Sequence, residues 1–462
     1  MPYGPGTRTA GRPYGRMQQP PAHPVTAASS NDAVTTLPTP PADPDAVLDW
    51  VGRHLGDLTL EGPDGVAAGG FRGGQSAADA ALAGLDVTGY ARDRSTVLPE
   101  SRRGASQLSP YIRYGLLTLP QVWAAVGDAP AGDRKRYRDE LLWQEYARHL
   151  YARTGPALGR SLRREQPRAT DWAGDPWPTE MACMDFVVGE LHRDGWVVNQ
   201  ARMWLASQWS VRAGADWREG EQEMFAHLLD GSRAANRLGW QWTTGTGSGK
   251  AYGFSRWQVE KRAPQLCRHC PLRSACPVQD WPEGTLGATV DGPDLGTGPT
   301  PAGPETVQGQ GAEVTWLTAE SLGLGDPALA AEPDRPAVFV FDEPLLRRLR
   351  LSAKRLVFLA ETLGELAEHR PLEVRRGSPV EELAGRRLAT TYAPVPGWAH
   401  RAARLEVVEL HPWPWLRRPG SASLRSYSAW VSGGRVGGTP RRGGTGGAPR
   451  GGAAARRSGR RG

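Results

Sequence analysis

"HLLDGSRAANRLGWQW", residues 227–242, sets an aspartate, an asparagine and two tryptophans among glycines in one short run. A surface loop has no use for two indoles, and a plain apolar core has no use for Asp230 and Asn236. The mixture describes a pocket for something large, flat and polar at its edges. Around it, apolar residues recur at three-to-four spacing in "PDAVLDWVGRHL", "LSPYIRYGLLTLPQVWAAV", "RDELLWQEYARHLYART" and "MDFVVGELHRDGW". No alternating strand pattern interrupts them, so residues 45–282 are predicted to form an all-α domain. Residues 1–44, rich in Pro, Gly, Ala and Thr without periodicity, are predicted to be disordered. Residues 283–311, "EGTLGATVDGPDLGTGPTPAGPETVQGQG", read as a flexible linker.

From 312 the pattern changes. "EVTWLT", "AVFVFD" and "PLEVRRG" read as strands, "SAKRLVFLAETLGELAEHR" as a long amphipathic helix, and a further helix is expected from "SPVEELAG". That alternation predicts a small parallel α/β, Rossmann-like domain over 312–432. The less regular "LEVVELHPWPWLRRPGSASLRSYSAW" is expected to wrap back onto one of the domains. Residues 433–462 read as a disordered Arg/Gly tail.

The formal charge of +7 resides in that tail, which holds eight arginines and no acid; the body is close to neutral. Such a tail either binds polyanions loosely by counterion release or simply solubilises the chain. No run of eighteen apolar residues and no secretory leader are present, so a cytoplasmic protein without a membrane span is expected. The four cysteines are Cys183, Cys267, Cys270 and Cys276. Three lie within ten residues, which in a reducing compartment reads as metal or cluster ligation.

The blocks "GASQLSPYIRYGLLT", "RDELLWQEYARHL", "GWVVNQARMWLAS" and "DWREGEQEMFAHLLDGSRAANRLGWQWTTGTG" follow one another over residues 90–250. Together they resemble the FAD-binding domain of the photolyase/cryptochrome family. The residues' own chemistry agrees: "ASQLS" offers hydroxyls and main-chain N–H groups at a helix start, suited to a pyrophosphate or to a plain helix cap. Asn199, Arg202 and Met203 share one helix face. The resemblance implies FAD contacts from Tyr90, Ala105, Ser106, Gln107, Leu108, Ser109, Gln144, Asn199, Arg202, Asp230, Ser232 and Asn236, with Arg202 paired to Asp230 beside the isoalloxazine. It implies reaction roles for Glu140, Trp143, Asn236 and Met203, the first two contacting a flipped-out lesion by hydrogen bond and stacking. It also implies an electron route through Trp240, Trp217 and Trp172, with Trp177 competing for the outermost place; for any single indole, core packing is the alternative.

Three positions depart from the family pattern: Gln144 replaces an arginine, Ser232 an aspartate, and "NQARM" stands for "NRxRM". The cysteines resemble those of an iron–sulfur subgroup of bacterial photolyases and cryptochromes and imply a [4Fe–4S] cluster, with four-cysteine zinc or free thiols as alternatives. Residues from "WLTAESLGLG" to "PVEELA" resemble the family's antenna domain, here following the FAD domain as in a circular permutation, and specify no antenna chromophore. The implied activity is that of a DNA photolyase, a carbon–carbon lyase acting as a monomer on UV-damaged DNA, with a basic groove expected at the flavin mouth. A cryptochrome-like blue-light photoreceptor is the alternative, and a binding module with residual flavin or none is the third reading.

Overall fold

The computed structural model describes residues 35–167, 172–282 and 287–433. Helices occupy the chain from Pro44–Leu55 to Pro264–His269. The strands β1 (Thr36–Leu37), β2 (Gln308–Gly309), β3 (Val314–Leu317), β4 (Ala337–Asp342), β5 (Leu372–Gly377), β6 (Leu388–Thr391) and β7 (Val407–His411) form one sheet, ordered β1-β5-β4-β3-β6-β7-β2. The five inner strands are parallel, and the two-residue strands β1 and β2 close the edges antiparallel. A parallel strand covered on both faces needs an unbroken apolar run, and Ala337–Phe341 in β4 is wholly buried. The chain builds β3, β4 and β5 outward on one side and then β6 and β7 on the other. This reversal leaves a crevice at the carboxyl ends of β3 and β6, where open α/β sheets bind ligands.

The sheet is fused to the helical region. Helix Ala353–His369 buries thirteen of its seventeen residues. Phe358 stacks on Tyr114 with centroids 4.9 Å apart, and Arg355 donates to the carbonyls of Phe225 and Gly231 at 3.1 Å each. One apolar cluster runs from Trp50 and Val51 through Leu116 and Phe225 to Phe339, Leu356 and Val374.

Three expectations about organisation need correction. The segment 1–44 is not unstructured up to its end. β1 pairs with β5, and Trp50 Nε1 donates to the Pro38 carbonyl at 3.1 Å; residues 1–34 lie outside the described residues. The segment 283–311 is not a free linker either. Leu295 is buried, Arg153 donates to the carbonyls of Gly296 and Gly298, and β2 pairs with β7. Its glycines and prolines are held by a neighbouring arginine and a sheet edge, which composition cannot register. Finally, the stretch 312–432 is not one domain. It enters the sheet up to His411 and then returns to helix Ala131–Thr154, where Tyr427 and Trp430 pack. The helix expected over "SPVEELAG" is one turn, Pro379–Glu382. Of the tail, residues 434–462 lie outside the described residues.

Candidate functional site

One large cavity, about 1010 Å³, opens between the helices and the carboxyl ends of β3, β4 and β6. Its size stands at the upper end of the roughly 300–1,000 Å³ usual for small-molecule sites, so it suits a large ligand. One face of helix Ala131–Thr154 lines it with Arg136, Glu140, Trp143, Gln144, Ala147 and Arg148, residues spaced three and four apart. The opposite wall comes from helices Asn199–Ala206 and Arg233–Thr244, which contribute Asn199, Arg202, Met203, Asn236 and Trp240.

Arg202 and Asp230 meet as a two-pronged pair, Nη1 to Oδ1 at 3.1 Å and Nη2 to Oδ2 at 2.7 Å, while Arg202 Nε donates to the Val197 carbonyl at 3.0 Å. The fork fixes both the carboxylate and the guanidinium plane. Asn236 is 7% exposed and its Nδ2 has no protein partner. A buried donor costs about 1–3 kcal/mol when unmet, so this amide calls for an acceptor from whatever fills the cavity. Ser232 caps helix Arg233–Thr244, its Oγ accepting from the Ala235 N–H at 3.5 Å. Where the family carries a charge, this chain spends the side chain on the helix end.

The "ASQLS" stretch reaches the cavity with Ala105, Ser106, Gln107 and Ser109. Gln107 holds φ +59°, a left-handed conformation uncommon for a residue with a side chain. Ser106 accepts from Tyr137 Oη at 3.1 Å and Ser109 from Trp196 Nε1 at 3.0 Å. Leu108 belongs to the core instead: it is 1% exposed and its side chain does not line the cavity. Tyr90 lines the cavity and meets Tyr137 edge-to-face at 5.0 Å.

Sequence reading expected a basic groove here without naming the residues that form it. Ten arginines line the cavity against four carboxylates, among them Arg94, Arg113, Arg136, Arg148, Arg233 and Arg237. The body is neutral overall, so positive potential is concentrated where a polyanion would enter. The helical spacing of Arg136 from Glu140 and of Arg233 from Arg237 was the available signal. Glu140 pairs with Arg94 at 2.6 Å; burial raises its affinity for a proton and Arg94 opposes that shift. Trp143 has one ring face covered by Tyr427, centroids 4.0 Å apart and planes 9° from parallel.

The tryptophans named from the sequence lie at different depths. Trp240 lines the cavity, and both Trp240 and Trp217 are buried with unpartnered Nε1 atoms. Trp217 and Trp172 do not reach the cavity. Gly220 admits a close approach between Trp240 and Trp209: a Cβ there would stand 2.3 Å from Trp240 Cη2 and 2.7 Å from Trp209 Cδ1. Trp209, in the π-helical turn Ser207–Arg212, meets Trp177 edge-to-face at 4.8 Å. Trp172 sits near the surface, donating to the Asp175 carbonyl at 3.2 Å.

Cys183, Cys267, Cys270 and Cys276 converge on one small apolar pocket beside Met181 and Val259. Burial pushes the Cys183 thiol well up, and the other three thiols add to the shift; burial carries Cys267 to about 11, with Glu260 contributing. No helix among the described residues is long and apolar enough to cross a membrane.

Comparison with known proteins agrees with this geometry. Residues 137–265 match the FAD-binding domain of DNA photolyase. The deoxyribodipyrimidine photo-lyase of Vibrio cholerae is 33% identical over 162 residues, covering 32% of this chain and 34% of that protein. One from Thermus thermophilus is 34% identical over 235 residues, 46% of this chain and 51% of that protein. Among solved structures, a class III photolyase from Agrobacterium tumefaciens aligns over 42% of this chain and 44% of its own at 27% identity, with a TM-score of 0.37. The alignments thus span between a third and about half of the relatives' length. Residues 137–265, which wall this cavity, are thus similar to the FAD-binding domain of DNA photolyases.

Proposed function

We propose that this protein is a light-driven DNA repair enzyme that binds FAD and acts on pyrimidine photoproducts in UV-damaged DNA. The observation that carries the proposal is the cavity itself: its Arg202–Asp230 fork, its unmet Asn236 donor and its Glu140–Trp143 rim are bounded by ten arginines. The residues fit a flavin dinucleotide. Arg202 and Asp230 would flank the isoalloxazine, Asn236 would donate to it, and Ser106, Gln107 and Ser109 would meet the pyrophosphate. Bound FAD supplies photochemical electron transfer, and the chain supplies everything around it.

Glu140, held by Arg94 and biased by burial towards its protonated form, hydrogen-bonds a flipped base. Trp143 offers that base a stacking face, and Tyr427 locks the indole plane from the other side. Met203 lines the cavity with Asn199 and Arg202 and would pack beside the flavin. The arginines at the rim hold backbone phosphates. Trp240 is the first indole of an electron route, with Trp217 and Trp172 as the resemblance implies; the packing of Trp209 on Trp177 supports a second path. The four cysteines would hold a [4Fe–4S] cluster that joins helix Ala182–Asp194 to the Pro264–His269 region. Repair of cellular DNA places the protein in the cytoplasm, working as a monomer.

The test is the composition of anaerobically purified protein: one FAD per chain by its absorption bands after denaturation, with iron and sulfide rather than zinc. Protein that neither carries FAD nor takes it up on reconstitution would overturn the proposal.

A further inference from the structure

A second cluster of metal-binding side chains lies apart from the cysteines. Helix Ala182–Asp194 ends with His192 in its last turn, and helix Trp217–His227 places Glu223 and His227 one turn apart. One donor atom from each of the three lies within 4.8 Å of the other two. The imidazole rings face each other with centroids 4.1 Å apart, and Glu223 Oε1 stands 3.5 Å from His227 Nε2. His227 is 7% exposed, yet its Nδ1 has no partner, and neither has His192 Nε2. Two buried imidazole nitrogens without partners, on rings 4.1 Å apart, are unusual in a folded protein and call for a ligand.

The backbone makes the cluster rigid. Both helices end here, and the Leu229 N–H donates to the Gly195 carbonyl at 2.8 Å, tying the two ends together. Glu223 supplies the negative charge. The nearby Lys354 is answered by Glu61, with Nζ and Oε1 3.6 Å apart. Two imidazoles and a carboxylate select a divalent transition metal over magnesium or calcium, which prefer all-oxygen sites. A tetrahedral ion needs donors about 3.4 Å apart, a contraction within reach of Glu223, whose side chain is 34% exposed.

We propose that His192, Glu223 and His227 form a zinc-type divalent metal site with a fourth position open to solvent. The ion clamps two helix ends, one of which leads into the turn bearing Asp230, so it stiffens the cavity wall from behind.

The experiment uses the full chain, stripped with chelator and titrated with Co²⁺ and Zn²⁺. Wild type and Cys270→Ser should both take up a Co²⁺ ion whose spectrum lacks a sulfur-to-metal charge-transfer band. His192→Gln and Glu223→Gln should each bind that ion at least about tenfold more weakly and lose the Zn²⁺-dependent rise in melting temperature. Should His192→Gln fail to fold, Glu223→Gln carries the test, because its carboxylate is partly exposed. Sulfur-free Co²⁺ binding that is absent from wild type, or equal in wild type and both variants, would overturn the proposal.

Discussion

Replacing Asp230 with alanine removes one half of the fork that sets the cavity wall. The Asp230 side chain is 4% exposed and that of Arg202 20%, so the pair is mostly but not wholly dry. Breaking a fully buried pair costs about 3–5 kcal/mol, chiefly because the remaining charge is stranded. Here a fifth of the guanidinium still meets water, and Nε keeps its bond to the Val197 carbonyl, so the loss should be about 2–3 kcal/mol. Urea unfolding of flavin-free protein, followed by tryptophan fluorescence, measures that difference directly. Equilibrium dialysis with FAD should show weaker binding in the same variant, since Arg202 loses the partner that aims it. A double-mutant cycle with Arg202→Met should return a coupling of about 1–3 kcal/mol. An Asp230→Ala protein within about 0.5 kcal/mol of wild type and with unchanged FAD affinity would refute the reasoning.

Trp240→Phe should slow photoreduction of oxidised flavin markedly while leaving repair by pre-reduced protein intact, as read by flash absorption; comparing Trp217→Phe with Trp209→Phe then tells which indole follows Trp240. Cys270→Ser should lower iron and sulfide content and the melting temperature together, whereas equal metal content would exclude Cys270 as a ligand. Burial holds the His149 pKa near 4, below the ordinary 6.5, with Arg417, Arg153 and Arg148 adding to the shift against its bond to the Arg417 carbonyl. The unfolded chain therefore takes up the proton first as pH falls. The stability His149 confers is complete above about pH 6.5 and declines by about 3 kcal/mol on the way down to pH 4. His149 accepts from Trp430 Nε1 at 2.9 Å, so proteolysis near residues 412–432 should accelerate over that window, and a flat profile would contradict the assignment. Trp143→Ala should cost about 1–3 kcal/mol in affinity for irradiated DNA and almost nothing for plain DNA in filter binding.

The polar and aromatic lining of the cavity was legible because its chemistry is local. Asn199, Arg202 and Met203 sit on one helix, and the turn from His227 to Trp242 carries its polar and aromatic residues within a single stretch. β3, β4 and β5 were legible for the same reason, as apolar runs bounded by turn residues. What sequence did not show arises from distant partners. "LATT" and "VVELH" are too short and too mixed to stand out as strands, and they pair only because β3 lies alongside. β1 is a strand only through its register with Val374 and Arg375. The glycine-rich run around Leu295 looks free until Arg153 is placed against it. Trp209 was passed over because its partners, Trp240 and Trp177, come from segments more than thirty residues away in either direction.

The most direct measurement of the central claim is lesion counting under light. Anaerobic protein with its flavin fully reduced is mixed with a UV-irradiated oligonucleotide, exposed to blue light or kept dark, and the remaining photoproducts are quantified by chromatography. The account predicts light-dependent loss of lesions and return of intact bases, with none in the dark. Unchanged lesions after illumination, with FAD shown to be bound and reduced, would contradict it.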